Sequence, residues 1–121
     1  MKLIGVMLGS ENSAVLGDFY TKVFGKPGWQ EKDWYGFDVG GGNLMIGPHS
    51  EVKGQNQSPG RIILSLETDD IENEFNRIKD IGATVVAEPY QPDKEKSPDM
   101  WLATLADPDN NYIQLSSPWK S

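Results

Sequence analysis

One pattern occurs twice in this chain, and it limits the folds open to it. An apolar run, a polar cap, an amphipathic stretch and a glycine succeed one another from Ile4 to Gly25, and again from Ile62 to Gly82. Each copy reads as a strand, a helix and a helix stop. In the first copy, Leu3–Leu8 is an apolar run of strand length, halted by Gly9-Ser10. Ser13 is the expected helix cap, with Asn12 the alternative. Val15, Leu16, Phe19, Tyr20, Val23 and Phe24 then recur at helical spacing and form one apolar stripe. Gly25 stands where a left-handed C-terminal cap belongs. In the second copy, Arg61–Glu67 is the strand and Asp69-Asp70 the cap. Ile71, Phe75 and Ile78 line one helical face, and Gly82 ends it. Gly17, inside the first helix, costs about 1 kcal/mol against alanine and is read as a point of close backbone packing.

Three short strands follow each copy. After the first they are Trp29–Lys32, Trp34–Val39 and Leu44–Ile46, the last two joined by Gly40-Gly41-Gly42-Asn43. After the second they are Thr84–Ala87, ended by Pro89, then Met100–Ala106 and Tyr112–Leu115. The final pair is joined by Asp107-Pro-Asp-Asn-Asn, a tight turn. Proline fixes its own φ and keeps the preceding residue out of helix, and asparagine tolerates a left-handed backbone. Beyond that turn Ile113 and Leu115 take one face and Tyr112 and Gln114 the other. Gly47–Gly60 is polar and aperiodic, a linker or loop, and Gln91–Asp99 is a charged, proline-flanked loop. The order is βαβββ twice, with a period of about 58 residues. The expected fold is α+β, a single domain over 1–121. Module one covers about 1–47, a linker about 48–60 and module two about 61–118.

A chain of 121 residues with 37% hydrophobic and 24% charged content suits a globular domain with a modest core. Its formal charge of −7 argues against nucleic acid or an anionic membrane as partner, and permits a cationic ligand. The absence of cysteine excludes disulfides, thiolate metal sites and a cysteine nucleophile. Leu3–Leu8 is too short for a secretion signal, and no run approaches the roughly 20 apolar residues of a membrane span. A cytoplasmic location is expected.

The chain resembles the vicinal oxygen chelate superfamily, which includes glyoxalase I, extradiol dioxygenases and the fosfomycin and bleomycin resistance proteins. The resemblance rests on Phe19-Tyr20 with Phe24-Gly25, on Asp69-Asp70-Ile71 with Ile81-Gly82-Ala83, and on Asp107 to Leu115, in that order. It implies two βαβββ modules forming a curved mixed sheet around a cavity, and a homodimer. It also implies four metal-ligand positions in the metal-using members, one in the first and one in the last strand of each module. Carried over, these fall on Gly5, Met45, Ile63 and Gln114. A catalytic divalent cation is held by imidazole or carboxylate donors, so no metal and no other cofactor is expected.

The remaining chemistry is sparse. His49 is the single histidine. Glu67, sharing a strand face with Ile63 and Ser65, is the one weak candidate for a general base, against a plain surface carboxylate. Met7, Met45 and Met100 fall on strands expected to line or rim the cavity, and Trp34, Tyr35 and Trp101 are candidates for a stacking wall. Trp119 is expected to pin the tail or a dimer contact. The expected ligand-binding set is therefore Met7, Trp34, Met45, Ile63, Ser65, Trp101 and Gln114. Gln114 either bonds a ligand or satisfies a neighbouring strand. The functional expectation is a metal-free small-molecule binding protein resembling the bleomycin-resistance branch. The alternative is a lyase, isomerase or dioxygenase like glyoxalase with a degenerate metal site.

Overall fold

A computed structural model describes residues 1–118 of the 121. Trp119 lies outside the described residues. The chain divides into two compact units, Met1–Gln55 and a second from Asn56 onward. Each is a βαβββ module.

The first module runs β1 (Gly5–Ser10), α1 (Ser13–Phe24), β2 (Trp29–Glu31), β3 (Trp34–Val39) and β4 (Gly42–Pro48). Its four strands lie in the order β1-β4-β3-β2. β1 runs parallel to β4, whereas β2, β3 and β4 form an antiparallel meander. The β3–β4 hairpin turns on Gly40 and Gly41 at φ of 59° and 94°. Two successive positive φ values are what a tight turn with the twist of the flanking strands demands, and glycine adopts them without steric cost. α1 packs on one sheet face. Leu16, Phe19, Tyr20 and Val23, at i, i+3, i+4 and i+7, share the helix face that packs on β3 and β4, where Tyr35, Phe37, Leu44 and Ile46 lie, and all eight are buried. Aromatic rings fill much of this layer: Tyr20 stacks on Phe24 at 5.7 Å, and Phe24 reaches Phe37 at 5.9 Å. Burying each large side chain of this kind contributes about 1.5–3 kcal/mol.

Gly17 faces the same sheet. A Cβ placed there would run into the Tyr35 ring, so its role in close packing is seen directly. The Thr21 hydroxyl donates to the Gly17 carbonyl at 2.7 Å, one turn back along the helix.

The second module repeats the topology with β5 (Ile63–Glu67), α2 (Ile71–Ile81), β6 (Thr84–Tyr90), β7 (Leu102–Ala106) and β8 (Tyr112–Ser116). The order is β5-β8-β7-β6, with β5 parallel to β8. Asp70 caps α2 by accepting the Asn73 N–H at 3.2 Å. Phe75 and Ile78 are buried beside Leu105, Ile113 and Leu115. At the β7–β8 turn, one oxygen of Asp107 accepts the N–H groups of Asp109 at 2.8 Å and Asn111 at 2.9 Å. Asn110 is left-handed at φ 66°, as the turn requires. Asn56 is clamped onto this turn: its N–H donates to the Asp109 carbonyl at 2.8 Å and its amide to Asn111 at 3.0 Å. Asn56, at the start of the second unit, is thus held on this turn by backbone and side-chain hydrogen bonds.

Several boundaries differ from the sequence reading. β1 starts at Gly5, two residues after Leu3, and continues through Gly9 to Ser10. Leu3 and Ile4 are exposed, so apolar character alone misplaced the start. The helix cap is Asn12 rather than Ser13. The Asn12 N–H is taken instead by the Ser10 hydroxyl at 2.9 Å, which turns the chain into the helix. β6 continues through Pro89. Proline is tolerated there because β6 is the last strand of its sheet and shifts register near Ala87. Thr84–Ala87 was therefore too short.

Replacing Gly17 by alanine improves helix propensity by about 1 kcal/mol but overpacks the Tyr35 contact by about 1–3 kcal/mol. We expect a net loss of stability in urea unfolding. An alanine variant more stable than the parent would show that the contact yields freely.

Candidate ligand-binding site

In each module one helix covers one face of the sheet and leaves the other open. In module one the strand period of two places Gly5, Met7 and Gly9 of β1 on the open face. They stand beside Asn43, Met45 and Gly47 of β4, and Trp34, Gly36 and Asp38 of β3. The registers arrange these in rows. Met7 pairs with Met45, Met45 with Gly36, and Gly36 with Trp29, so a single row crosses all four strands. Gly5, Asn43 and Asp38 form the next row. On the other side of the methionines, Trp34 lies flat over Gly47, where a Cβ would meet its ring.

The central row floors a concave pocket of about 460 Å³, rimmed by Gly5, Asn43 and Asp38. Met7, Met45 and Trp29 are between 36% and 47% exposed, a large apolar surface with no cover inside the module. Asp38 Oδ1 accepts the Gly41 N–H at 3.1 Å, which fixes the carboxylate at the rim.

Module two has a more polar open face. Ser65, Gln114 and Thr104 form one row across β5, β8 and β7. Ile63 lies one row away opposite Tyr112, and Glu67 lies opposite Ser116 at the strand end. Gln114 is half-buried while its neighbours Ile113 and Leu115 are fully covered, so the alternation read from the sequence is present. Trp101 precedes β7, 37% exposed, with its backbone N–H donating to the Ser117 hydroxyl at 2.9 Å. The structure thus groups Met7, Met45 and Trp34 on one open face, and Ile63, Ser65 and Gln114 on the other.

Tyr35 does not belong with these aromatics. Its odd–even position puts it on the helix side, 5% exposed against Gly17, with the indole of Trp34 on the opposite face. Trp29 was the aromatic missed. In the sequence it marks only the start of a strand; its pairing with Gly36 makes it part of the floor. A glycine opposite a tryptophan in a hairpin was the available signal. His49 is exposed, and its Nδ1 accepts the Glu51 N–H at 3.2 Å, a local turn contact.

The four positions matched to metal ligands do not fit a divalent cation. Met45 and Ile63 offer no hard donor, and Gln114 offers a neutral amide. At Gly5 a Cβ would run into the Asn43 carbonyl of β4, so no side chain fits there without moving the strand. Among the described residues no three histidines or carboxylates stand close enough to hold an ion.

With the fold and the open faces established, comparison with known proteins places the class. A glyoxalase-related enzyme from Fulvimarina pelagi superposes with a TM-score of 0.78 at 15% identity, over 98% of this chain and 88% of its own. A glyoxalase/bleomycin resistance protein/dioxygenase family enzyme from Burkholderia phytofirmans PsJN gives 0.72 at 20% identity, over 97% and 98%. TioX from Micromonospora sp. ML1 gives 0.69 at 18% identity, over 97% and 98%. At such identities the likeness is one of fold, and the fold is that of the glyoxalase/bleomycin resistance/dioxygenase proteins. The family model described as glyoxalase-like domain matches residues 5–116, and the chain belongs to that family, within the vicinal oxygen chelate superfamily. No curated protein matches it. No helix among the described residues is long and apolar enough to cross a membrane.

Burial first, then Asp18 and Asp33, hold the Tyr35 phenol above its ordinary pKa of 10.0. The unfolded chain therefore ionises this group before the folded chain does. Its contribution is intact below that pH and is lost as pH rises beyond it. Urea midpoints measured from pH about 9 to about 11 should fall more steeply for the parent than for Tyr35→Phe. Parallel slopes would show that Tyr35 is not the group responsible.

Proposed function

We propose that this protein binds a small molecule without metal, in the manner of the bleomycin-resistance branch of its superfamily. The observation that carries the reading is the pocket on the open face of module one. At about 460 Å³ it has the size of small-molecule sites, about 300–1,000 Å³. Its floor is thioether and indole, surfaces that adapt to and stack on flat apolar groups. The proposed contacts there are Met7, Met45 and Trp29, with Trp34 on the same open face beside the pocket, over Gly47. On module two we propose Ile63, Ser65, Trp101 and Gln114, with Gln114 supplying an amide. Catalysis is the reading that family membership supports; the ligand-position residues weigh against a metal-dependent version, and Glu67 is the weak candidate for a base.

We also propose a homodimer. Each sheet has only four strands, and its outer strands offer backbone edges that need cover. Light scattering at tens of micromolar should give twice the chain mass, and a monomer mass would overturn the assembly.

The binding reading is tested by thermal shift against aromatic cations, neutral aromatics and glutathione thioethers, with and without added nickel or zinc. Stabilisation by aromatic ligands without metal is expected. Trp29→Ala should weaken that binding by about 2 kcal/mol, and Gln114→Ala by about 1–3 kcal/mol. A shift seen only with glutathione adducts, and only with metal present, would replace this reading by the enzymatic one.

A further inference from the structure

The pocket of module one is polar at one rim only, and that asymmetry specifies the ligand beyond its size. Resting on the binding reading above, we infer that Asp38 and Asn43 select a ligand with a protonated amine on a flat apolar body, and that Asp38 excludes anions.

Asp38 and Asn43 are direct cross-strand partners in β3 and β4, so their side chains leave the sheet side by side on the open face. They are the two polar side chains among the lining residues, and among the described residues no lysine, arginine or histidine lines the pocket. The third place in their row is Gly5, which adds no side chain of its own to the rim. Asp38 spends Oδ1 on the Gly41 N–H, which leaves Oδ2 for a donor. A carboxylate only accepts hydrogen bonds, and Asn43 can accept through its carbonyl, so the pair suits an ammonium group with several N–H donors. A ligand carboxylate or phosphate would meet like charge with no cation to offset it.

Strand geometry supplies the dimensions. Met7, Met45, Gly36 and Trp29 occupy four adjacent strands. At about 4.8 Å per strand the apolar floor is about 14 Å long. The Asp38 row lies two residues along the strands, about 7 Å to one side. The fitting ligand is one or two rings in length with an amine displaced about one ring width from its long axis. This class differs from the glutathione adducts in sign of charge.

The test uses three probes sharing one apolar body: naphthylmethylamine, naphthylmethanol and naphthoic acid. Dissociation constants are measured by calorimetry at low and high salt for the parent and for Asp38→Asn, which keeps an acceptor for Gly41. In the parent the amine should bind about fivefold tighter than the alcohol, with the acid weakest, and salt should narrow the gap. Asp38→Asn should bring the amine down to the level of the alcohol, with the alcohol, which can also donate to Asp38, losing much less than the amine. Equal binding of amine and alcohol to the parent, or an equal loss of all three in the variant, would overturn the charge selection while leaving the pocket in place. Failure of all three probes to bind the parent would overturn both the pocket and the selection.

Discussion

A four-stranded sheet has two faces, and each module supplies one helix. Everything else in the structure depends on that shortfall. The helix-side face takes the large apolar residues, because only there can they leave water: Leu16, Tyr20, Ile46 and Ile113 are fully buried. The opposite face has no covering element inside its module, so its residues answer to other demands. In module one that face carries glycines, methionines and tryptophans, with Asn43 and Asp38 at one rim; in module two it carries Ser65, Gln114 and Thr104, with Ile63 and Glu67 to either side. A half-exposed sheet that served stability alone would alternate apolar with charged residues. The open face of module one does not.

Glycine shapes that face in two ways. Gly36 and Gly47 are low points over which Trp29 and Trp34 lie, since a Cβ at Gly47 would enter the Trp34 ring and one at Gly36 would touch Trp29 at 3.5 Å. The indoles therefore lie close along the sheet and leave a shallow floor. At the hairpin tip, Gly40 and Gly41 close the turn that carries Asp38 and Asn43 into register. Glycine in strand interiors ordinarily weakens a sheet. Here the loss is offset by aromatic surface laid over the gap.

The repeat, both helices and the two-sided character of the last strand were legible in the sequence because they are period signals. The i, i+3, i+4 spacing of Leu16, Phe19 and Tyr20, and the alternation at Tyr112–Leu115, come from backbone geometry that any neighbour must respect. Strand ends were less legible. Leu3 and Ile4 look like strand residues, yet the β1–β4 register begins at Gly5 and Asn43, and Ile4 touches it only through its carbonyl, which accepts the Asn43 N–H at 3.4 Å. Pairing is a property of two segments, and neither segment records it alone. The same applies to Tyr35 and Trp34. They are neighbours in a run of aromatics, and only the register of β3 against β4 puts one under the helix and the other over Gly47. Trp29 joins the floor through its pairing with Gly36, again a cross-strand fact.

The open face also explains why the donor positions cannot be treated as four independent letters. At Gly5 the missing side chain is tied to how closely β1 approaches β4: the Asn43 carbonyl occupies the space a Cβ would need. Restoring a histidine there would have to push the two strands apart at their shared end. Met7–Met45 and Gly9–Gly47, the pairs beyond it on the same face, would feel that displacement. Introducing ligands at Met45 and Ile63 changes only side chains, whereas introducing one at Gly5 changes the backbone that sets the row of Asn43 and Asp38. The close approach that leaves no room for a side chain at Gly5 is also the spacing of β1 and β4 beneath the row of Asn43 and Asp38. A donor at Gly5 therefore needs a shift of β1 against β4 as well as a new side chain.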